Sequence, residues 1–177
     1  MLDRMTNGTT RTLSDTDFPV PPEERHFEDY RPGAVHEYGY LTVTEEEIIE
    51  FAERFDPQPI HVDREYAATG PFGGIIASGW HTSALCMRLI ADHYLPPRAS
   101  LASPGIDELR WPAPLRPGDS VRLRTTILAA RPSRSKPDRG IVTTGCELIT
   151  KDDERTVLTL RAMNLIRRRP VREGRTG

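Results

Sequence analysis

The stretch Ala77-Ser78-Gly79-Trp80-His81-Thr82-Ser83-Ala84-Leu85-Cys86-Met87-Arg88-Leu89-Ile90-Ala91-Asp92-His93 decides the fold. Trp80, Ala84, Leu85, Cys86, Met87, Leu89, Ile90 and Ala91 cover most of the circumference of a helix, and only His81, Arg88 and Asp92 mark a narrow polar edge. A helix apolar nearly all round must be largely buried. Pro96-Pro97 closes it, and everything afterwards reads as strands: Ile106–Trp111, Val121–Ala130, Ile141–Thr150 and Thr156–Ile166. These runs are rich in β-branched and apolar residues, and turn signals such as Arg116-Pro117-Gly118-Asp119 and Lys151-Asp152-Asp153 separate them.

Upstream, a first strand is expected around Val35–Val43. Thr44 then precedes Glu45, Glu46 and Glu47, which supplies an N-cap, a Glu at N3 and negative charge on the positive end of a helix. Ile48, Phe51, Ala52 and Phe55 recur at helical spacing, so the helix spans about Glu45–Phe55 and stops at Asp56-Pro57. After the proline-stiffened loop Asp56–His61 come a short polar helix near Arg64–Ala68 and the glycine-rich turn Gly70-Pro71-Phe72-Gly73-Gly74. The pattern predicts an α+β protein: one domain in which an antiparallel curved sheet of about five strands wraps a long central helix. Residues 1–32, interrupted by Pro19, Pro21 and Pro22, read as an N-terminal tail, poorly ordered or partly docked. The domain is expected over 33–168, with 169–177 as a C-terminal tail.

A chain of 177 residues has room for one ordinary domain. Its 24 Lys+Arg against 26 Asp+Glu leave no large basic field to hold nucleic acid or an anionic membrane. Cys86 and Cys146 both lie in apolar stretches without metal-ligand spacing, so neither a structural zinc nor a disulfide framework is expected. The first residues are polar and acidic where a signal peptide would have an apolar run, and no run of ~18 apolar residues occurs, so a soluble cytoplasmic protein is expected.

Chemistry concentrates at Asp56 and His61, five positions apart with Pro57 and Pro59 between them. Each proline fixes its own φ and restricts its predecessor, which holds a carboxyl and an imidazole at a nearly constant separation. Asp56 also sits at a helix C-terminus, where the dipole disfavours an anion and tends to protonate it. From spacing alone, two readings stand side by side: an acid–base pair, or a turn-capping Asp beside a locally packed His.

The string Asp56-Pro57-Gln58-Pro59-Ile60-His61-Val62-Asp63 resembles the signature loop of the MaoC-like (R)-specific enoyl-CoA hydratases. Phe72-Gly73-Gly74-Ile75-Ile76-Ala77-Ser78-Gly79 is similar to that family's entry into its central helix. Leu109-Arg110-Trp111 through Pro114 to Pro117-Gly118-Asp119 is similar to its later strand–turn element. Gln58 stands where the pattern commonly has Asn, and Phe55 where it has a small residue. The resemblance implies a hot-dog fold and a hydro-lyase of fatty acid metabolism. Such an enzyme adds water reversibly to trans-2-enoyl-CoA to give (R)-3-hydroxyacyl-CoA, with Asp56 and His61 as the catalytic pair.

The resemblance also gives Gly79 the role of offering its N–H to the thioester oxyanion, although a glycine there also permits tight helix–sheet packing. Ser78 either bonds substrate or caps the helix, and Asp63 either orients His61 or caps the short helix that follows. Gln58, Phe72 and Trp80 are pocket or supporting candidates, and His81 is expected as a satisfied residue on the polar edge. No metal, nicotinamide or flavin is expected, CoA being part of the substrate. A homodimer or higher homo-oligomer is expected because similar proteins complete their acyl tunnel at a subunit interface. Two other readings share the fold: an acyl-CoA thioesterase and a non-catalytic acyl-thioester binding subunit.

Overall fold

The computed structural model describes residues 11–13 and 17–170. A two-residue strand β1 (Arg11–Thr12) and strand β2 (Val35–Thr42) are followed by helix α1 (Glu45–Phe55) and two short helices, α2 (Pro59–Val62) and α3 (Arg64–Thr69). Helix α4 (Gly79–Leu89) comes next, then strands β3 (Ser100–Arg110), β4 (Ser120–Pro132), β5 (Arg139–Thr150) and β6 (Thr156–Arg167). The strands form one antiparallel sheet in the order β1-β2-β4-β5-β6-β3. Five long strands curve around α4, which is the hot-dog arrangement. Leu85, Cys86 and Leu89 of α4 share a single core with Tyr38, Leu123, Ile127, Leu148 and Leu158 of the sheet.

Local chemistry explains the boundaries. Thr44 and Glu47 form the expected reciprocal cap on α1, with Glu47 N donating to Thr44 Oγ1 at 3.2 Å and Thr44 N to Glu47 Oε2 at 2.8 Å. Helix α4 begins two residues later than its apolar run because the Ser78 hydroxyl caps it, accepting from Trp80 N at 3.2 Å. It ends in a π-helical turn, Ile90–Tyr94, closed by Leu95 N donating to Ile90 O at 2.9 Å.

Strand β3 starts six residues before the expected Ile106, because bulges between Ala102 and Gly105 accommodate Pro104 on an edge strand. The segment Asp56–His61 is also not wholly a loop, since Pro59 opens the single helical turn of α2. Two burial expectations are corrected. Phe55 is 60% exposed despite its place in the α1 stripe, and α4 is not buried all round, with Trp80 60% and Met87 48% exposed.

Residues 17–32 run as a strap across the end of the fold, while residues 1–10, 14–16 and 171–177 lie outside the described residues. Phe18, Arg25, Phe27 and Tyr30 of the strap are buried, and Tyr30 donates its hydroxyl to Tyr94 O at 2.7 Å. Phe27 occupies the space above Gly140 of β5, where a Cβ would stand only 2.1 Å from the Phe27 ring. At the other end of the chain, Arg169 pairs with Asp29 at 2.7 Å and Arg168 with Glu28 at 3.2 Å. No helix among the described residues is long and apolar enough to cross a membrane. Gly140→Ala is expected to unseat Phe27 and cost about 1–3 kcal/mol through overpacking. A lowered midpoint in urea unfolding, with an unchanged slope, would register it.

Candidate active site

Asp56 is the C-cap of α1, its N–H bonded to Ala52 O at 2.8 Å. Two side chains grip its carboxylate: Ser78 donates its hydroxyl to Oδ2 at 2.6 Å, and Gln58 donates Nε2 to Oδ1 at 2.7 Å. His61 is buried, and its Nδ1 stands 2.8 Å from the carbonyl of Ile76. A carbonyl only accepts, so in the neutral ring Nδ1 carries the hydrogen and Nε2 keeps a lone pair. That Nε2 lies 3.5 Å from Asp56 Oδ2. The local sequence explains the placement: the prolines and the α2 turn swing His61 back toward the end of α1, while the segment Ile75–Ser78 runs past both residues.

The electrostatic outcome reverses one expectation. The helix dipole was expected to favour protonated Asp56, yet the Ser78 hydroxyl, followed by the Gln58 amide, holds its carboxyl below the usual carboxylate range against the opposing effect of burial. Two short hydrogen bonds to the charged form outweigh a dipole effect of roughly 0.3–1 kcal/mol. The resting site therefore presents two acceptors side by side, a carboxylate oxygen and an imidazole nitrogen.

Other sequence candidates take distinct places. Ser78, fully buried, both caps α4 and bonds Asp56. Asp63 caps α3, accepting from Tyr66 N at 3.0 Å. Gly79 opens α4, whose first N–H groups have no partner within the helix. The Trp111 indole lies against it, 2.6 Å from where a Cβ would be, so close packing by itself requires glycine there. Phe72 and Trp80 are at the surface rather than in the core, with Trp80 edge-on to Trp111 at 5.5 Å. The carbonyl of Ile76 was not legible as a functional group, since a backbone oxygen leaves no mark in the residue pattern. Among the described residues, no group of three or more His, Cys, Asp or Glu converges as metal ligands would.

His81 also departs from expectation. It is buried, stacks on Phe51 at 4.6 Å and 7°, and leaves Nδ1 unpartnered. Burial lowers its pKa from the ordinary 6.5 to about 4. A neutral folded His that would protonate in the unfolded chain makes stability fall as pH drops from 6.5 toward about 4.

The fold agrees with relationships to known proteins. Residues 31–148 match the model of the MaoC like domain. Over 91 residues the chain is 42% identical to 3-hydroxyacyl-thioester dehydratase Z of Mycobacterium tuberculosis, a match spanning 50% of this chain and 60% of that relative. The 3-hydroxybutyryl-CoA dehydratase of Methylorubrum extorquens is 31% identical over 118 residues, spanning 65% of this chain and 73% of its own length. Among solved structures, the MaoC-like dehydratase from Rhodospirillum rubrum superposes with a TM-score of 0.77 at 40% identity, covering 83% of this chain and 99% of that one. The chain belongs to the MaoC-like domain family.

His81→Phe keeps the stacked ring and removes the titrating nitrogens. In thermal melts the wild type should lose more stability than this variant between pH 6.5 and about 4, by up to about 1.4 kcal/mol per pH unit. Parallel pH dependences of the two proteins would contradict the assignment.

Proposed function

We propose that this chain is an acyl-thioester hydratase, or dehydratase in reverse, that adds water to trans-2-enoyl-CoA to give (R)-3-hydroxyacyl-CoA. The observation that carries this reading is the hydrogen bond from His61 Nδ1 to the Ile76 carbonyl, which leaves the basic Nε2 beside an ionised Asp56. The relatives named as dehydratases of 3-hydroxyacyl thioesters support the same reaction class.

Two adjacent acceptors hold one water by its two hydrogens. In the hydration direction its oxygen attacks C3 of the enoyl group while one proton passes to the pair at His61 Nε2. The C2=C3 electrons move toward the thioester, and the enolate oxygen is met by the N–H of Gly79 at the positive end of α4. Because Asp56 has no proton of its own at rest, the proton taken from water is the one returned to C2. The pair thus ends as it began, and one water has been added. Dehydration runs the same steps backward. No metal or redox cofactor has a task in this sequence.

The partner expected for such a chain is a second copy. Trp80 and Met87 of α4, Ile106 of β3 and Trp111 beyond it are exposed large apolar residues on and beside β3, which is an edge strand of the sheet among the described residues. An unpaired edge flanked by apolar side chains favours association between copies. Sedimentation equilibrium at micromolar protein is expected to return at least twice the monomer mass of 20.0 kDa. A pure monomer under those conditions would refute the assembly.

Turnover tests the chemistry. Wild type is expected to consume crotonyl-CoA with loss of enoyl-thioester absorbance, to form the (R)-3-hydroxy product without releasing thiol, and to do so unchanged after dialysis against EDTA. Asp56→Asn and His61→Ala should each lower kcat by about 10²–10⁴-fold with the circular dichroism spectrum retained. Near wild-type rates in both variants would exclude the pair as the catalytic groups.

A further inference from the structure

A cavity of about 300 Å³ lies between the second half of α4 with its π turn and strands β3, β5 and β6. It begins close to the candidate site. Leu160, on its lining, is the register partner of Leu109, two residues before the Trp111 whose indole covers Gly79, so about 7 Å of strand separates the two places.

The lining limits what the cavity holds. None of the described residues that line it is charged, although Asp, Glu, Lys and Arg make up 28% of the chain. The Tyr94 hydroxyl and Thr144 Oγ1 satisfy each other at 2.8 Å, Ser103 donates to Met163 O at 2.7 Å, and burial keeps the Cys146 thiol uncharged. Such a lining fits a hydrocarbon tail and disfavours a charged one. Taking ~30 Å³ for a water-sized group, the volume accommodates on the order of ten methylenes.

Tyr94 is the wall that the cavity shares with the strap. The π turn sets Ile90, Tyr94 and Leu95 together on the lining. From the strap side, the Tyr94 carbonyl accepts from the Tyr30 hydroxyl at 2.7 Å and from Arg25 Nη1 at 2.9 Å. The rings of Tyr30 and Phe18 meet the Tyr94 ring edge-on at 5.4 and 5.9 Å. The strap is itself pinned by Phe27 over Gly140 and by the pairing of Asp29 with Arg169. A side chain braced in this way cannot swing aside to let a longer tail pass.

We propose that Tyr94 is the end-stop for the acyl tail and that the strap, by bracing Tyr94, sets the upper length of the substrate at about ten to twelve carbons. This rests on the hydratase reading and adds its substrate class: enoyl thioesters with an uncharged hydrocarbon tail of medium length. Tyr30 and Arg25 are positioning residues, acting through Tyr94.

The test is a series of crotonyl-, octenoyl-, dodecenoyl- and hexadecenoyl-CoA, assayed for kcat/KM with the full chain. The value is expected to rise from crotonyl- to octenoyl-CoA and to fall about tenfold or more from dodecenoyl- to hexadecenoyl-CoA. Ala162→Leu, which fills part of the cavity, should lower dodecenoyl-CoA relative to octenoyl-CoA by about tenfold. Tyr30→Phe keeps the ring and removes the hydroxyl that holds Tyr94, and it should raise hexadecenoyl-CoA relative to octenoyl-CoA by about two- to tenfold. A merely structural loss lowers every substrate alike and leaves these ratios where they were. Saturated acyl-CoA of the same lengths cannot be hydrated, and its calorimetric binding to wild type should show the same length limit, so a failure of the hydratase reading registers separately. A flat length profile, or an unchanged ratio in either variant, would overturn the proposal even with hydration intact.

Discussion

The hydroxyl of Ser78 joins the two halves of this molecule. It accepts from the first turn of α4 and donates to the carboxylate at the end of α1, so one buried oxygen fixes where the central helix begins and where Asp56 points. The sheet needs α4 seated because that helix fills its concave face, and the candidate site needs α1 to end against the α4 entry. A residue with one hydrogen and two lone pairs meets both needs at once. Alanine would leave a capping position empty and a carboxylate short of its strongest donor, coupling stability and electrostatics in one change.

Charge at the site is decided by a contest between a diffuse field and specific bonds. The C-terminal dipole of α1 works against an anion on Asp56, and so does partial burial. Ser78 and Gln58, at 2.6 and 2.7 Å, win because short hydrogen bonds to an ionised oxygen are stronger than a helix end partly open to solvent. His61 is governed differently, by a backbone carbonyl that dictates its tautomer. Two groups with the same apparent task are thus tuned by unlike means, one through its charge state and the other through which nitrogen holds the hydrogen.

Where the controlling interactions are local, the residue pattern reads well. Thr44, Glu47 and the Asp56-Pro57 stop delimit α1 to the residue, since caps and prolines act within a turn of themselves. The strand succession after Pro97 and the wrapped central helix are likewise legible from apolar runs. What escapes is set by distance along the chain. The sign of the Asp56 shift depends on Ser78, 22 residues away, and the burial of the strap depends on a gap over Gly140 that only the assembled sheet creates. Trp111 against Gly79 is another such meeting, and it gives a particular partner to the close packing that the sequence reading held beside ligand approach. The exposed face of α4 misleads for a related reason: apolar residues all round a helix do not say which of them the sheet of the same chain reaches.

The ion pairs between Glu28, Asp29, Arg168 and Arg169 bring together segments about 140 residues apart in sequence. During synthesis the strap is therefore made well before the elements that complete its seat. Its seat over Gly140 exists only once β5 has paired, and its ionic partners emerge only after β6. A nascent chain must carry Phe18, Phe27 and Tyr30 without their final cover until β6 and the arginines beyond it have been made, which leaves the aromatic residues of the strap dependent on partners made about 140 residues later.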